Sequence, residues 1–221
     1  MTKILWCGGS HLGNARTPIL QTFEEFENDF YITAGPGNLA WARKGGRYEQ
    51  NGTTVGGNGR SPTDYFDLAQ YDHIVFVGHW IQPRRFFIGS QPLSSAVLDC
   101  MFPVNDFLIH IPGNIYNQPL ELFPQIAIDK CILMCDPAPN FSSYVRAPLF
   151  AKKYFFEKAE EFCTLRGIKC LTQPETTLNT RLVTKSKFNK RENDYVHMNF
   201  EFWKSYLKKT RMYIIEKNNH G

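Results

Sequence analysis

The chain has 221 residues, 43% hydrophobic and 21% charged, and a formal net charge of +4. This balance excludes a disordered chain, and the small charge excess does not indicate a nucleic-acid partner. We expect one compact domain over residues 1–221. No apolar run reaches the roughly 20 residues that a membrane span needs. The first predicted strand begins at Lys3, which leaves no room for a signal peptide, so a cytoplasmic location is expected.

The six cysteines mostly lie inside apolar runs such as "ILWC" and "KCILMC", where a thiol behaves as a small hydrophobic group. This usage favours a reducing compartment. Cys131 and Cys135 share one face of a predicted strand, but the second pair that a zinc site needs is missing. No metal site is predicted.

In the first half of the chain, apolar runs that end in glycine turns predict buried strands. These runs are "KILWC" at 3–7, "FYITAGPGN" at 30–38 and "HIVFVG" at 73–78. A helix is predicted from Thr17, with Pro18 at its first position. The glycine-rich stretch 45–59 predicts an exposed loop or hairpin that could serve as a lid or binding loop.

The second half predicts more strands and two helices. The strand-like runs are "FLIHI" at 107–111, "CILMC" at 131–135 and "IKCL" at 168–171. Apolar residues at helical spacing predict a helix over 148–166, with Gly167 as its stop signal. A last helix is predicted from about Asp194 to Lys209. Strands that alternate with helices indicate a doubly wound parallel α/β sheet.

Three segments follow predicted strands directly: Ser10, the glycines at 35–37 and the residues at 78–80. In a doubly wound sheet, ligands bind at the carboxyl ends of the strands. We therefore expect these segments to converge on one site.

A serine hydroxyl needs a neighbouring base, usually an imidazole held by a carboxylate. Asp194 and His197, in "DYVHMN", are three residues apart at the predicted start of the last helix, so both can lie on one helix face. Each residue also has a plainer interpretation. Ser10 can be a turn residue, Asp194 a helix N-cap and His197 a surface histidine.

Together, "GGSH" after the first strand and "DYVHMN" near the end resemble the first and last sequence blocks of the SGNH (GDSL-like) hydrolases. The resemblance covers nearly the whole chain and is weaker in the middle blocks. It implies a three-layer, flavodoxin-like doubly wound sheet, with Ser10 as the nucleophile, His197 as the base and Asp194 as its partner. The aspartate that usually precedes the nucleophile is replaced by Gly9.

In that family the oxyanion hole uses the serine amide, a glycine after the second strand and an asparagine after the third. The resemblance assigns the glycine to Gly37, with Gly35 as the competitor. This chain has no asparagine at the corresponding place after the third strand, where its residues are Gly78, His79 and Trp80. A ring N–H of His79 or Trp80 could replace the lost donor, or Trp80 could form a pocket wall.

Other polar residues near the strand ends are further candidates. Arg16, Arg84 and Arg85 could bind a carboxylate or phosphate, or could be ordinary surface arginines. Asn14 and Asn38 are minor candidates for oxyanion or substrate contacts.

The predicted function is a serine-dependent carboxylic ester hydrolase with a Ser-His-Asp triad, specifically an acetyl esterase that acts on a carbohydrate or on a small ester. It would need no cofactor. The alternatives are an O-acetyltransferase that uses acetyl-CoA in polysaccharide biosynthesis and a degenerate SGNH-like binding domain. The oligomeric state is not predicted.

Overall fold

Seven strands form one mixed sheet in the computed structural model, which describes residues 1–33, 46–50, 53–56, 67–78, 128–139, 142–192, 194 and 197–220. The strands are β1 (Lys3–Gly8), β2 (Glu27–Thr33), β3 (Gly46–Gln50), β4 (Thr53–Gly56), β5 (His73–Val77), β6 (Cys131–Met134) and β7 (Lys169–Leu171). The α-helices are α1 (Ser10–Thr22), α2 (Ser142–Arg146), α3 (Leu149–Thr164) and α4 (Phe200–His220). The predicted strand at 107–111 lies outside the described residues.

The sheet order is β4-β3-β2-β1-β5-β6-β7. Five neighbouring strands are parallel: β2, β1, β5, β6 and β7. The other two, β3 and β4, form a hairpin that pairs with β2 in antiparallel orientation. When only the parallel strands are counted along the chain, their order in the sheet is 2-1-3-4-5, which is the flavodoxin-like order. The switch point of this order lies between β1 and β5. The hairpin predicted within 45–59 is confirmed, and its role as a lid stays a prediction.

Helices cover both faces of the sheet. Successive side chains of a strand point to opposite sides, so a strand that is apolar throughout needs packing partners on both faces. On β1, Ile4 and Trp6 pack with α1 and α4. Leu5 and Cys7 pack on the other face with α3. The predicted three-layer, doubly wound α/β fold is therefore confirmed. Its extension as a single domain over residues 1–221 stays a prediction.

The first helix begins earlier than the sequence predicts. Its first intrahelical bond joins the amide of Gly13 to the carbonyl oxygen of Gly9 at 3.0 Å, so Ser10 is already helical. Leu12 and Ala15 are fully buried before the predicted start at Thr17. The helix thus gains apolar burial by starting at Ser10, and Pro18 is accommodated inside it despite its missing N–H.

The last helix begins later than predicted and is longer. Asn199 caps it, since its Oδ1 accepts the amide N–H of Phe202 at 3.1 Å. Asp194 and His197 therefore lie before α4 and not on the helix. The helix continues past Lys209 to His220, because the buried stripe runs on to Ile214. Among the described residues, no helix combines the length and apolar character that crossing a membrane requires.

The end of β1 packs too closely for any side chain. A Cβ on Gly8 would lie 2.7 Å from the carbonyl oxygen of Val77 and 2.9 Å from Cβ of Leu12. Both distances are below van der Waals contact. The glycine therefore lets α1 start directly against the sheet, which places Ser10 at the switch point.

We expect Gly8→Ala to lower the free energy of unfolding by roughly 1–3 kcal/mol, because the added methyl group overpacks this junction. Gly13→Ala is the matched control: its Cβ would meet no described group within 4 Å. That variant should raise stability by up to about 1 kcal/mol through helix propensity. Urea unfolding of both variants measures the difference, and equal stabilities would contradict the close packing at Gly8.

Candidate active site

Ser10 is exposed at the carboxyl end of β1, where it is the first residue of α1. The amides of a first helical turn have no intrahelical acceptor, and α1 has neither a side-chain cap nor an acidic residue there. The helix N-terminus therefore presents partial positive charge around the Ser10 hydroxyl.

Ser10, His197 and Asp194 form one hydrogen-bonded chain. Nε2 of His197 lies 3.2 Å from Oγ of Ser10. Nδ1 of the same ring lies 3.0 Å from Oδ2 and 3.1 Å from Oδ1 of Asp194. With the ring proton on Nδ1, the carboxylate accepts that N–H and Nε2 accepts the serine O–H. The structure thus brings together the three residues that the sequence singled out, and the arrangement is suited to removing a proton from Ser10.

The Asp194 carboxylate is held by two N–H groups of His197. Its Oδ1 accepts the backbone N–H of His197 at 2.9 Å, in addition to the ring N–H. The prediction that Asp194 and His197 share a helix face is wrong, because both residues precede α4. Their three-residue spacing nevertheless lets the Asp194 carboxylate accept both the backbone and the ring N–H of His197. The two side chains are partly exposed, at 34% for His197 and 24% for Asp194.

The backbone around His197 is fixed by a short antiparallel bridge. The amide of Lys190 donates to the carbonyl oxygen of His197 at 2.9 Å, and the amide of Asn199 donates to that of Phe188 at 2.8 Å. The next side chain, Met198, is buried in the core between α1 and α4. Hydrogen bonds and burial on both sides therefore fix the position of His197.

A second polar link joins this loop to α1. Nδ2 of Asn14 donates to the carbonyl oxygen of Ser10 at 2.9 Å. Its Oδ1 accepts a hydrogen bond from Nζ of Lys190. Asn14 was a minor candidate for oxyanion or substrate contacts, and here it has structural partners. Lys190 was not singled out, because the sequence shows it only as part of a basic run.

A buried pair lies beneath the catalytic candidates. His11 and Asp136 are 2% and 4% exposed, and Nε2 of His11 lies 3.6 Å from Oδ1 of Asp136. The His11 ring centroid is 5.8 Å from that of His197 and 5.9 Å from that of Trp203. Sequence reasoning missed both residues. The available signals were the histidine directly after Ser10 and the aspartate directly after a predicted strand.

Gly78, a predicted oxyanion or substrate-binding residue, adjoins this buried pair. Its φ is +66°, a conformation that favours glycine. A Cβ there would lie 2.6 Å from Oδ1 of Asp136 and 2.9 Å from Cδ2 of His11. Gly78 therefore leaves the space that the two side chains occupy, and its role in an oxyanion hole stays a prediction.

The ends of β6 and β7 are joined by a buried hydroxyl. The Tyr206 O–H lies 3.2 Å from the carbonyl oxygen of Cys135 and also contacts that of Leu171. Burial raises the pKa of Tyr206 well above its ordinary value, so the hydroxyl remains a donor. Because Cys135 precedes Asp136, this contact also fixes the backbone next to the buried pair.

Arg16 has a structural partner. Its Nε lies 2.5 Å from Oε2 of the buried Glu49 in β3, and its guanidinium packs over the ring of Phe30. It lies six residues after Ser10, roughly 9 Å along the helix axis. Its predicted role in substrate binding is untested. The remaining candidates lie outside the described residues: Gly35, Gly37, Asn38, His79, Trp80, Arg84 and Arg85.

In the described part of the chain, no cluster of three or more His, Cys, Asp or Glu side chains could hold a metal ion. The cysteines there are buried thiols without disulfides: Cys7, Cys131, Cys135, Cys163 and Cys170.

Solved structures of similar fold include acylhydrolases. A proposed acylhydrolase from Bacteroides fragilis NCTC 9343 matches with a TM-score of 0.53 and 13% identity, over 98% of this chain and 88% of that one. A lipase/acylhydrolase from Enterococcus faecalis matches with a TM-score of 0.51 and 13% identity, over 95% of each chain. No protein-family model matches the sequence, and no curated protein does. The chain shares the fold of these two structures, which agrees with the fold implied by its resemblance to the SGNH (GDSL-like) hydrolases.

The hydrogen bond between His197 and Asp194 can be tested without measuring activity. We expect a strongly downfield exchangeable proton resonance from Nδ1–H of His197, because a carboxylate accepts it. Proton NMR should show that this resonance is lost in Asp194→Ala and kept in Ser10→Ala. Its persistence in Asp194→Ala would contradict the observed geometry.

Proposed function

We propose that the protein is a serine-dependent carboxylic ester hydrolase. The observation that carries the proposal is the chain of hydrogen bonds from Ser10 Oγ through the His197 ring to the Asp194 carboxylate. It lies at an exposed strand end, at the switch point of a sheet whose fold is also that of known acylhydrolases. Fold alone does not define an activity, so the proposal depends on this site.

In the first step, Oγ of Ser10 attacks the ester carbonyl carbon while its proton moves to Nε2 of His197. Asp194 stabilises the resulting imidazolium. The tetrahedral intermediate then expels the alcohol, which takes the proton from Nε2 and leaves an acyl group on Ser10. Water attacks this ester with the same proton path and releases the carboxylic acid.

The developing oxyanion is stabilised by the start of α1. The Ser10 amide belongs to the first helical turn, where the dipole favours negative charge. Gly37 is proposed as a second amide donor and Gly35 as its competitor, on the family resemblance alone. His79 or Trp80 would replace the absent asparagine.

The proposed substrate is an acetyl ester of a carbohydrate or of another small alcohol. Ser10 is exposed, which supports a polar substrate that reaches the site from solvent. Transfer of the acyl group to a sugar hydroxyl would use the same acyl-serine, so the acceptor separates an esterase from an O-acetyltransferase. We propose a cytoplasmic location, supported by the burial of the described cysteines in the apolar core, where a thiol behaves as a small hydrophobic group.

We expect p-nitrophenyl acetate to be hydrolysed by the wild type and not above background by Ser10→Ala, because the nucleophile is lost. Asp194→Asn should lower kcat roughly 10⁴-fold, because the imidazole loses the partner that sets its tautomer. Spectrophotometric release of p-nitrophenol measures both effects.

Ser186→Ala is the matched control, since it removes an exposed serine hydroxyl from a short 3₁₀-helix over Ser186–Phe188. It should retain wild-type turnover. Activity that survives in folded Ser10→Ala would refute the nucleophile. A wild type that does not hydrolyse the ester, but transfers acetyl from acetyl-CoA to a sugar in a Ser10-dependent way, would be identified as a transferase. Lack of activity in both assays would favour a binding domain.

A further inference from the structure

A surface cavity of about 310 Å³ lies beside the start of α3. Among the described residues that line it, three are basic, namely Arg146, Lys152 and Arg181, and none is acidic. Thr180 and three small or apolar residues also line it. Ser10, Asp194 and His197 do not.

Lys152 is the buried centre of this α3 cavity. It is 1% exposed, and its Nζ donates to the carbonyl oxygens of Arg181 at 2.8 Å and Val145 at 3.4 Å. Its ammonium also lies 4.7 Å from the ring centroid of Tyr144. One buried cation therefore fixes the backbone of both segments that carry the arginines. Burial, followed by the positive charge of Arg181, lowers the pKa of Lys152, as expected for a cation without a counter-ion.

The loop that carries Arg181 is fixed in a strained conformation. Oδ1 of Asn179 accepts the amides of Arg181 at 2.9 Å and Val183 at 3.2 Å. Leu182 has a φ of +53°, which is rare for a residue with a branched side chain, and its carbonyl oxygen accepts the Tyr144 O–H at 2.9 Å. Both carbonyls of the turn thus point inward to Lys152 and Tyr144, and Arg181 lines the cavity.

Nothing in the described part of the chain neutralises this charge. None of the described carboxylates forms an ion pair with Arg146, Lys152 or Arg181. The first turn of α3 has no acidic residue and no side-chain cap, so its dipole adds to the positive potential. Folding has therefore gathered like charges around an open space, which costs free energy unless an anion occupies it.

We propose that the α3 cavity binds a phosphate-type oxyanion. Two guanidinium groups supply the planar, two-pronged donors that match phosphate oxygens, and the buried ammonium supplies further charge. Because the loop and α2 are already fixed, little ordering is needed on binding. The ligand is free phosphate or the phosphate of a phosphomonoester, for which the exposed Leu149 at the cavity offers an apolar contact.

The test is calorimetric titration of the intact protein with inorganic phosphate and with phenyl phosphate, at constant ionic strength. We expect saturable binding by the wild type, and a dissociation constant about tenfold higher in Arg146→Gln and in Arg181→Gln, because each loses a charged hydrogen bond. Lys153→Gln is the matched control: it removes one exposed positive charge from α3 outside the cavity and should bind as the wild type does.

Tighter binding of phenyl phosphate identifies a phosphomonoester as the ligand, and equal binding identifies free phosphate. The proposal is overturned if the wild type does not bind either probe, or if both arginine variants bind as tightly as Lys153→Gln. Because the readout is binding, it is independent of whether Ser10 catalyses ester hydrolysis.

Discussion

The candidate site depends on the packing of the first helix against the last. α1 and α4 lie on the same face of the sheet and share one buried cluster with Ile4 and Trp6 of the first strand. Leu12 of α1 and Trp203 of α4 belong to that cluster. Since Ser10 begins α1 and His197 precedes α4 by three residues, this packing brings together two side chains that are 187 positions apart. The close approach at Gly8 and the burial of Met198 then set the remaining geometry.

The site combines an exposed chemical group with a rigid, buried support. Ser10 faces solvent, whereas His11, the next residue, points into the protein toward Asp136. A buried carboxylate is costly unless it is paired and hydrogen-bonded, and here the pair packs beneath the ring of His197. Gly78 permits this arrangement because any side chain there would displace both residues. Positioning by packing is what an acid–base site requires, since misplacement of about 1 Å can cost 10²-fold in rate.

Much of this arrangement could be predicted from the sequence, since buried parallel strands are continuous apolar runs and the two end motifs contain Ser10, Asp194 and His197. The start of the first helix could not be predicted, because the burial of Leu12 in the folded protein outweighed the helix-start signal at Thr17 and Pro18. The pair of His11 and Asp136 was also missed. Its members are 125 positions apart, and only the order of the strands brings them together. The charge cluster around Lys152 likewise depends on a strained turn that no local pattern indicates.

The role of Ser10 is tested most directly by labelling the folded protein with a fluorophosphonate probe and locating the adduct by peptide mass spectrometry. Such probes report an activated serine, which requires both the neighbouring imidazole and an accessible hydroxyl. If Ser10 is the nucleophile, the adduct lies on Ser10, and labelling is abolished in His197→Gln. An unlabelled Ser10 in correctly folded protein, or an adduct on a different serine, would contradict the assignment.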